Sequence, residues 1–347
     1  MMKRILLTGI GGNTAQGVAR SLLKHPKEFR LIGADSDRYN VRFGFSYAKR
    51  NYLVPPASDE GYIPAVSRIV RKERIDLVMP SPDAEVYEVS KHRDEVGCRV
   101  FLPSHEAIEV TRDKWLTYNA LRGKVEEPRT LLVRGQEDIS RAFAEIGSPV
   151  WLRIRRGAGG LRSLIAYDEG QAKFWIEYWR GYGEFTASEF LTGRNLGWIG
   201  LYKDGALIAM GGYLRLRYFM DKISPTGVTG NINLGVTMND RTLNRAGTKV
   251  VNALEKRPNG VYNIDLKGDG FPKVTEINSG RFHMSSFTYT AAGLNLPYLY
   301  AKLALDEPVE LPRRKDPMKA GVMTIRNTDN GALFVDADEV DKGILIP

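Results

Sequence analysis

The first hundred residues alternate between two hydrophobic periods. Four apolar runs have the length of buried strands: KRILLTGI, FRLIGADSD, DLVMPSP and CRVFLP. Between them, three segments carry apolar residues at helical spacing: TAQGVARSLLKH, YIPAVSRIVRKERI and AEVYEVSKHRDEV. Strands that alternate with helices predict a doubly wound parallel sheet. Residues 1–105 are therefore predicted to form a Rossmann-like α/β unit.

After residue 106 the pattern changes to mixed strands and helices. HEAIEVTRDKWLTYNALRG is predicted to be helical, and a β-α-β-β-α-β succession runs from PRTLLVR to FTASEFL. The strands LGWIGLYKDG and ALIAMGGYLRLRY follow, and then the helix RTLNRAGTKVVNALEK and the hairpin VYNIDLKGDGFPKVTEIN. This order predicts α+β units over residues 106–187 and 188–311. The tail, 312–347, is predicted to be strand-rich, with AGVMTI and GALFV as its strand-like pieces.

The helix EGQAKFWIEYWRG of the first α+β unit carries an aromatic stripe. Its members are Phe174, Trp175, Tyr178 and Trp179. Their spacing is that of one helical face, so the stripe is predicted to pack onto the neighbouring small sheet. These side chains are therefore assigned to packing.

The hairpin candidate brings oxygen ligands together. Two strand-like runs flank Gly268-Asp269-Gly270, which is a good turn signal. Side chains alternate along a strand, so Glu276 and Asn278 share one face. If the hairpin closes at that turn, Asp265 lies across from Glu276, and two carboxylates beside amide oxygens suit Mg²⁺. Acids and amides on a solvated hairpin face are also common, so spacing alone favours a surface hairpin with its polar residues facing water.

Two glycine-rich turns are candidate anion-binding segments. RIRRGAGGLRS joins two strand-like runs, and its glycines would let backbone N–H groups approach phosphate oxygens. It also carries four cationic side chains: Arg153, Arg155, Arg156 and Arg162. A flexible hairpin tip is the alternative. The second turn, LTGIGGNTAQG, gives an incomplete dinucleotide fingerprint with Asp35 or Asp37 as the ribose-binding acid, and a tight strand-to-helix turn explains it better.

Composition narrows the classes of function. The chain has 347 residues, 43% hydrophobic and 26% charged, and no apolar run near the ~20 residues that span a bilayer. Cys98 is the only cysteine, which excludes an internal disulfide and favours a reducing cytoplasm. The net charge of +9 is spread along the chain without interleaved aromatics. It therefore predicts a surface that attracts small anions such as nucleotides, with no nucleic acid and no membrane as partner.

The ordered set of motifs resembles the ATP-grasp proteins, especially those like the large subunit of carbamoyl-phosphate synthetase and biotin carboxylase. The resemblance runs to about Leu311, through DKWLTYNAL, PVWLRIRRGAGGLRS, ASEFLTG, GVYNIDLKGDG and TEINSGR. It implies a Rossmann-like domain followed by a two-lobed ATP-grasp fold. It is also compatible with a homodimer.

The resemblance also implies roles for individual residues. Lys114 and Arg153 would bind the ATP phosphates, with arginine in a place usually held by lysine. Gly157, Ala158, Gly159 and Gly160 would form the loop over the phosphates. Glu189, Phe190 and Leu191 would meet adenine, and Asn195 stands where a ribose-binding acid is usual. Asp265, Glu276 and Asn278 match the metal ligands, and Arg281 follows them in a motif one residue longer than the usual Asn-Pro-Arg.

These residues imply an ADP-forming ligase that uses ATP and Mg²⁺, with Mn²⁺ as an alternative. A small-molecule carboxylate would be activated as an acylphosphate and coupled to an amine or another nucleophile. Lys114, Arg153 and Arg281 would stabilise the charge of the transferred phosphoryl group. Two alternatives remain: an NAD(P)-dependent oxidoreductase that uses the N-terminal glycine turn, and a non-catalytic ATP-binding protein.

Overall fold

The computed structural model describes residues 2–157, 159–327, 339 and 341–347, and its strands form three sheets. The first sheet is parallel and has the strand order β16-β3-β2-β1-β4-β5. Its strands are β1 (Lys3–Thr8), β2 (Phe29–Asp35), β3 (Asn51–Leu53), β4 (Leu77–Met79), β5 (Arg99–Val100) and β16 (Ile344–Leu345). Its helices are α1 (Asn13–Leu22), α2 (Arg38–Gly44), α3 (Tyr62–Glu73) and α4 (Asp83–Lys91). The predicted Rossmann-like parallel sheet is confirmed.

The second sheet is small and antiparallel, with the order β6-β9-β7-β8. Its strands are β6 (Thr130–Val133), β7 (Val150–Ile154), β8 (Leu164–Ala166) and β9 (Phe185–Glu189), and its helices are α7 (Gln136–Ile146) and α8 (Glu169–Tyr178). The buried residues of α8 are Ala172 and Ile176, which do not belong to the aromatic stripe. The stripe therefore contributes only partly to packing. Phe174 and Tyr178 are 66% and 65% exposed, so the prediction that they pack onto the sheet was wrong.

Two helices connect the first two sheets where one was predicted. They are α5 (His105–Arg112) and α6 (Lys114–Leu121). Asp113 breaks the run with an extended backbone (φ −115°, ψ 115°), and its carboxylate accepts hydrogen bonds from the N–H groups of Trp115 and Leu116. This cap starts α6 at Lys114 and so fixes the backbone of a predicted phosphate-binding residue.

The third sheet has the order β14-β13-β10-β11-β12-β15 and is antiparallel. Its strands are β10 (Asn195–Lys203), β11 (Ala206–Tyr218), β12 (Ile232–Met238), β13 (Gly260–Lys267), β14 (Lys273–Ser279) and β15 (Met323–Ile325). Helix α9 (Arg241–Leu254) lies against this sheet at Gly247, where a Cβ atom would come within 2.2 Å of the Trp198 ring. Glycine there lets the helix approach the sheet closely.

Two helices that were not predicted join the first and third sheets. They are α10 (Ser286–Ala291) and α11 (Leu296–Ala304), and both pack against α1. One apolar cluster contains Leu7 of the parallel sheet, Leu201 of the third sheet and Leu296 of α11, all fully buried. The tail also adds one strand to each of these two sheets, since β15 pairs with β12 and β16 pairs with β3. The tail segment GALFV lies outside the described residues.

Across the described ranges, no helix combines the length and the apolar composition needed to cross a bilayer. Cys98 is a free thiol that is partly exposed at the start of β5. Burial raises its pKa to about 12, which makes it a poor nucleophile at neutral pH.

Candidate active site

The hairpin of β13 and β14 has the predicted register. Asp265 lies opposite Glu276, and Asn263 lies opposite Asn278. A register shift follows Asp265, because Leu266 pairs with Val274 and leaves Thr275 as an extra residue. Asp265 and Glu276 both line one pocket, so the two carboxylates do not form a solvated outer face.

Each of the three predicted metal ligands contacts a cationic side chain. The Arg215 guanidinium forms an ion pair with Asp265, and Lys114 Nζ lies 3.8 Å from Glu276 Oε1. Arg281 donates a hydrogen bond to the side-chain oxygen of Asn278. Burial acts to raise the pKa of Asp265, but the Arg215 ion pair outweighs it and holds that pKa below its usual value. The Asp265 carboxylate is therefore ionised at neutral pH.

The pocket lies between the small sheet and the third sheet and has an empty volume of about 880 Å³. Nine of the predicted site residues line it: Lys114, Arg153, Gly157, Gly160, Glu189, Leu191, Asn195, Asp265 and Glu276. Asn278 lines a neighbouring pocket that shares Lys114, Gly157 and Glu276 with this one. We name the first of these two pockets after its predicted ligand and call it the nucleotide pocket.

Lys114 and Arg153 are the cations that face the nucleotide pocket from its small-sheet side. Lys114 Nζ donates to the carbonyl oxygen of Gly157 at 2.7 Å, and Arg153 Nη2 donates to the carbonyl oxygen of Thr275 at 2.6 Å. The Arg153 Nε group is buried and has no hydrogen-bond partner among the described residues. Burial lowers the pKa of both side chains. An anion in the pocket would satisfy these donors.

The other arginines of the glycine-rich turn have different contacts. Arg155 binds Asp113 through two hydrogen bonds of 3.2 and 2.6 Å, and Arg156 Nε lies 3.3 Å from the same carboxylate. The Arg162 guanidinium stacks 4.5 Å above the Trp179 ring. Of the four, Arg153 is therefore the one that lines the nucleotide pocket.

The glycine-rich turn touches the connector between β11 and β12. A Cβ atom on Gly160, whose φ is +73°, would lie 2.8 Å from the carbonyl oxygen of Val228. A Cβ atom on Gly230 would lie 2.7 Å from Gly159 Cα. Only glycine permits this backbone contact, which closes one wall of the nucleotide pocket. Ala158, the fourth predicted residue of this loop, lies outside the described residues.

The predicted adenine-binding residues lie at the far end of the pocket from Lys114. Glu189 accepts a 2.6 Å hydrogen bond from Lys273 Nζ. Leu191 and Asn195 line the pocket, whereas Phe190 stacks on Trp151 with 6.2 Å between ring centroids. Phe190 therefore contributes through packing against a ring that lines the pocket.

Comparison with known proteins adds to this geometry. No family model matches the chain. The N-terminal section of the carbamoyl phosphate synthase large chain from Aquifex aeolicus (strain VF5) is 24% identical over 189 residues, 50% of this chain and 33% of that protein. The chain thus spans about a third of the length of this curated relative.

Solved structures agree over most of the chain. Biotin carboxylase from Campylobacter jejuni, in a β,γ-ATP complex, superposes with a TM-score of 0.69, 16% identity and coverage of 92% of this chain and 74% of that chain. N5-carboxyaminoimidazole synthetase from Staphylococcus aureus superposes with a TM-score of 0.68 and 13% identity, and the match covers 91% of this chain and 80% of that chain. A third structure is the biotin carboxylase domain dimer of Hydrogenobacter thermophilus 2-oxoglutarate carboxylase, in complex with MgADP and bicarbonate. It superposes with a TM-score of 0.69 and 14% identity, and the match covers 93% of this chain and 73% of that chain.

The chain has an ATP-grasp fold. The predicted fold class is thereby confirmed. The small sheet and the third sheet are the two lobes of the grasp, and the nucleotide pocket lies between them. The comparisons give no support to the oxidoreductase alternative.

Protein atoms closely surround the N-terminal glycine turn. A Cβ atom on Gly11 would lie 2.5 Å from Asn40 Cα, and one on Gly9 would lie 2.6 Å from Pro82. Asp35 is buried and accepts hydrogen bonds from the N–H groups of Gly11 and Asp37. The turn is therefore a tight strand-to-helix connection, as its spacing favoured.

The oxygen donors at the junction of the nucleotide pocket and its neighbour, on Asp265, Glu276 and Asn278, fit a hard divalent cation. Two carboxylates and one amide oxygen suit Mg²⁺ when phosphate oxygens complete the shell. Within the described residues, no group of three or more His, Cys, Asp and Glu side chains is placed to hold a metal ion.

Two partners in this site were not found from the sequence. Arg215 pairs with Asp265 and also lies 3.0 Å from His283 Nε2. Asp83, in the first turn of α4, binds Arg281 through both carboxylate oxygens. Both pairs join residues far apart in the chain, so local patterns carry no signal for them.

Removing the charge of Asp113 should destabilise the small lobe in a pH-dependent way. Asp113 is 1% exposed, and although burial acts to raise its pKa, Arg155 and the cap of α6 hold it below the usual value. A lowered folded-state pKa stabilises the fold above the unfolded pKa of ~3.9, and this is lost as pH falls through the folded pKa. We expect Asp113→Asn to lower the free energy of unfolding by about 2 kcal/mol at pH 7.

Urea unfolding at pH 7 and at pH 3 measures this effect, and the gap between wild type and variant should narrow at the lower pH. Glu145→Gln is the matched control, because Glu145 forms an exposed pair with Arg141 at 3.8 Å. The control should change stability by less than about 0.5 kcal/mol. An equal loss in both variants would refute the special role of Asp113.

Proposed function

We propose that the chain is a cytoplasmic, ADP-forming carboxylate–amine ligase that uses ATP and Mg²⁺. The observation that supports this most is the convergence of Lys114, Arg153, Asp265 and Glu276 on one pocket of an ATP-grasp fold. The relatives named above include biotin carboxylase and a carboxyaminoimidazole synthetase. The chain would act on small molecules, and a homodimer like the one in the H. thermophilus structure is compatible with this proposal.

The charge balance of the pocket favours a nucleotide. Four cationic side chains, Lys114, Arg153, Arg215 and Lys267, line the pocket together with three carboxylates, Glu189, Asp265 and Glu276. One positive charge is therefore uncompensated, and burial strengthens its attraction for a polyphosphate. Burial lowers the pKa of His283 to about 3, so this residue adds no charge at neutral pH.

In the proposed mechanism, Lys114 and Arg153 bind phosphate oxygens and orient the γ-phosphoryl group towards a substrate carboxylate. Asp265, Glu276 and Asn278 would hold Mg²⁺, which supplies further neutralisation of phosphate charge. The carboxylate oxygen attacks the γ-phosphorus, the bond to the β-phosphate oxygen breaks, and ADP and an acylphosphate form. Gly157, Gly159 and Gly160 of the glycine-rich turn would exclude water from the acylphosphate.

The decisive assay is ADP release from Mg·ATP with a panel of carboxylic acids, each with and without amines. Turnover that needs ATP, the acid and the amine together is the expected result. ATP binding without ADP release across the panel would instead indicate a non-catalytic nucleotide-binding protein. Turnover without ATP would refute the proposal.

A further inference from the structure

A second pocket adjoins the nucleotide pocket and opens to solvent beside the parallel-sheet unit. It shares Lys114, Gly157 and Glu276 with the nucleotide pocket and has an empty volume of about 680 Å³. We call it the side pocket and define it by Asp83, Thr111, Arg112, Arg156, Glu276 and Asn278. Because the two pockets meet at Glu276, a molecule in the side pocket adjoins the predicted phosphoryl-transfer site.

The inner end of the side pocket is rich in hydrogen-bond acceptors. Asp83, Glu276 and Asn278 all contribute oxygens there, and the buried Ser279 lies beside them. Arg281 binds Asp83 and Asn278, but a carboxylate has about four lone-pair positions and keeps some of them free. The Asp83 side chain is 39% exposed, so it is accessible from the pocket. Such an end suits a donor group, such as an amine.

The outer end of the side pocket is cationic. Arg156 is 69% exposed and shares Asp113 with Arg155, which binds both oxygens of that carboxylate. One negative charge faces two guanidinium groups, so the charge of Arg156 is not balanced there. Arg112 stacks 4.0 Å above the Tyr87 ring, which fixes the guanidinium plane and leaves its N–H edge for an anion.

We propose that the side pocket binds the nucleophilic substrate, and that this substrate is an amine that also carries an anionic group, as an amino acid does. This inference rests on the ligase function proposed above. The nitrogen would donate hydrogen bonds to Asp83, and the anionic group would bind Arg112 and Arg156. An amine without an anion would leave both arginines unmatched.

The transfer step balances with this orientation. The lone pair of the neutral amine attacks the acyl carbon, and the C–N bond forms as the bond from that carbon to the phosphate oxygen breaks. The phosphate leaves with the bonding electrons and takes the proton released by nitrogen. The products are an amide and inorganic phosphate, so no oxidant or reductant is required.

Matched pairs of amines test the inference with the full-length chain and Mg·ATP. Each amino acid is compared with its decarboxylated amine, such as alanine with ethylamine, and with an aminoalkyl phosphate, across the same acid panel. ADP release should be at least about 10-fold more efficient, by kcat/KM, with the anionic amines. The carboxylate and phosphate arms show which anion the pocket prefers.

Two variants locate the anion-binding end. Arg112→Gln and Arg156→Gln should each raise the KM for the anionic amine about 10-fold or more, while the KM for ATP changes less than about 2-fold. Arg141→Gln is the control, because Arg141 lies on α7 of the same lobe and pairs at the surface with Asp138. It should leave both constants unchanged.

The possible failures are distinguishable. Equal efficiency with an amino acid and its decarboxylated amine would overturn the inference and leave the ligase function standing. A rise in the KM for ATP alone in Arg156→Gln would place that arginine on the phosphates and would overturn its role here. No ADP release with any acid and amine would overturn the proposed function, and the inference with it.

Discussion

Replacing Glu276 by Gln is expected to lower Mg·ATP turnover about 1,000-fold, because a charged oxygen at the junction of the two pockets is lost. The amide keeps the size of the side chain, so the register with Asp265 should persist. Lys114 would lose its partner at 3.8 Å, and the net positive charge of the pocket would increase. We therefore expect metal-free ATP to bind at least as tightly as it does in the wild type.

Initial-rate kinetics and ATP titration in the presence of EDTA separate these two effects. Glu189→Gln is the matched control, since Glu189 lies at the other end of the same pocket and pairs with Lys273. That variant should change the KM for ATP more than kcat. If Glu276→Gln weakened metal-free ATP binding and left kcat intact, Glu276 would be a nucleotide contact and the metal assignment would fail.

The hairpin of β13 and β14 shows how far sequence patterns reach. The turn at Gly268–Gly270 and the alternation of side chains together determine the register, so Asp265 opposite Glu276 was predictable. The parallel sheet was predictable for a similar reason, because its buried strands are short apolar runs separated by helical patterns. Local chemistry decides both features.

Other features depend on residues that are distant in the chain. Helix α11 is apolar on most sides because it lies between α1 and the third sheet, and such a helix gives no amphipathic signal. Strand β12 contains Gly235, where a Cβ atom would lie 2.5 Å from the Tyr213 hydroxyl oxygen. Tyr213 lies on the neighbouring strand β11, so the reason for a glycine at this position exists only in the folded sheet.

The arginines of the glycine-rich turn illustrate the same limit within the site. Four of them in one short segment predict a phosphate-binding cluster, and mutual repulsion supports that interpretation. Asp113, which lies well before this segment in the chain, binds Arg155 through hydrogen bonds, and the Trp179 ring stacks against Arg162. Sequence therefore predicts that cations are present, and only tertiary contacts show which of them face a ligand.

Replacing Arg215 by Met should destabilise the metal-free chain by about 3 kcal/mol, because it leaves Asp265 as an unpaired charge in a largely buried position. The Arg215 side chain is 8% exposed, and its ion pair with Asp265 spans β10, the strand that lies between β11 and β13 in the third sheet. Urea unfolding in EDTA measures the loss. The double variant Arg215→Met/Asp265→Asn should recover most of it, since no buried charge then lacks a partner.

Arg217→Met is the control for this experiment, because Arg217 lies on the same strand but is exposed and binds Asn233. It should cost less than about 0.5 kcal/mol. If Arg215→Met and the control were equally mild, the ion pair would not contribute to stability. If the double variant were no more stable than the single one, the loss would come from packing.

The deficit of Arg215→Met should also grow with pH. Without Arg215, burial would raise the pKa of Asp265 above its unfolded value, so the folded variant would bind a proton more readily than the unfolded chain. Stability gained in this way is present at low pH and is lost as pH rises through the folded pKa. A larger deficit at pH 8 than at pH 5 is expected, and a deficit that shrank with rising pH would show that Asp265 is not the charge left unpaired.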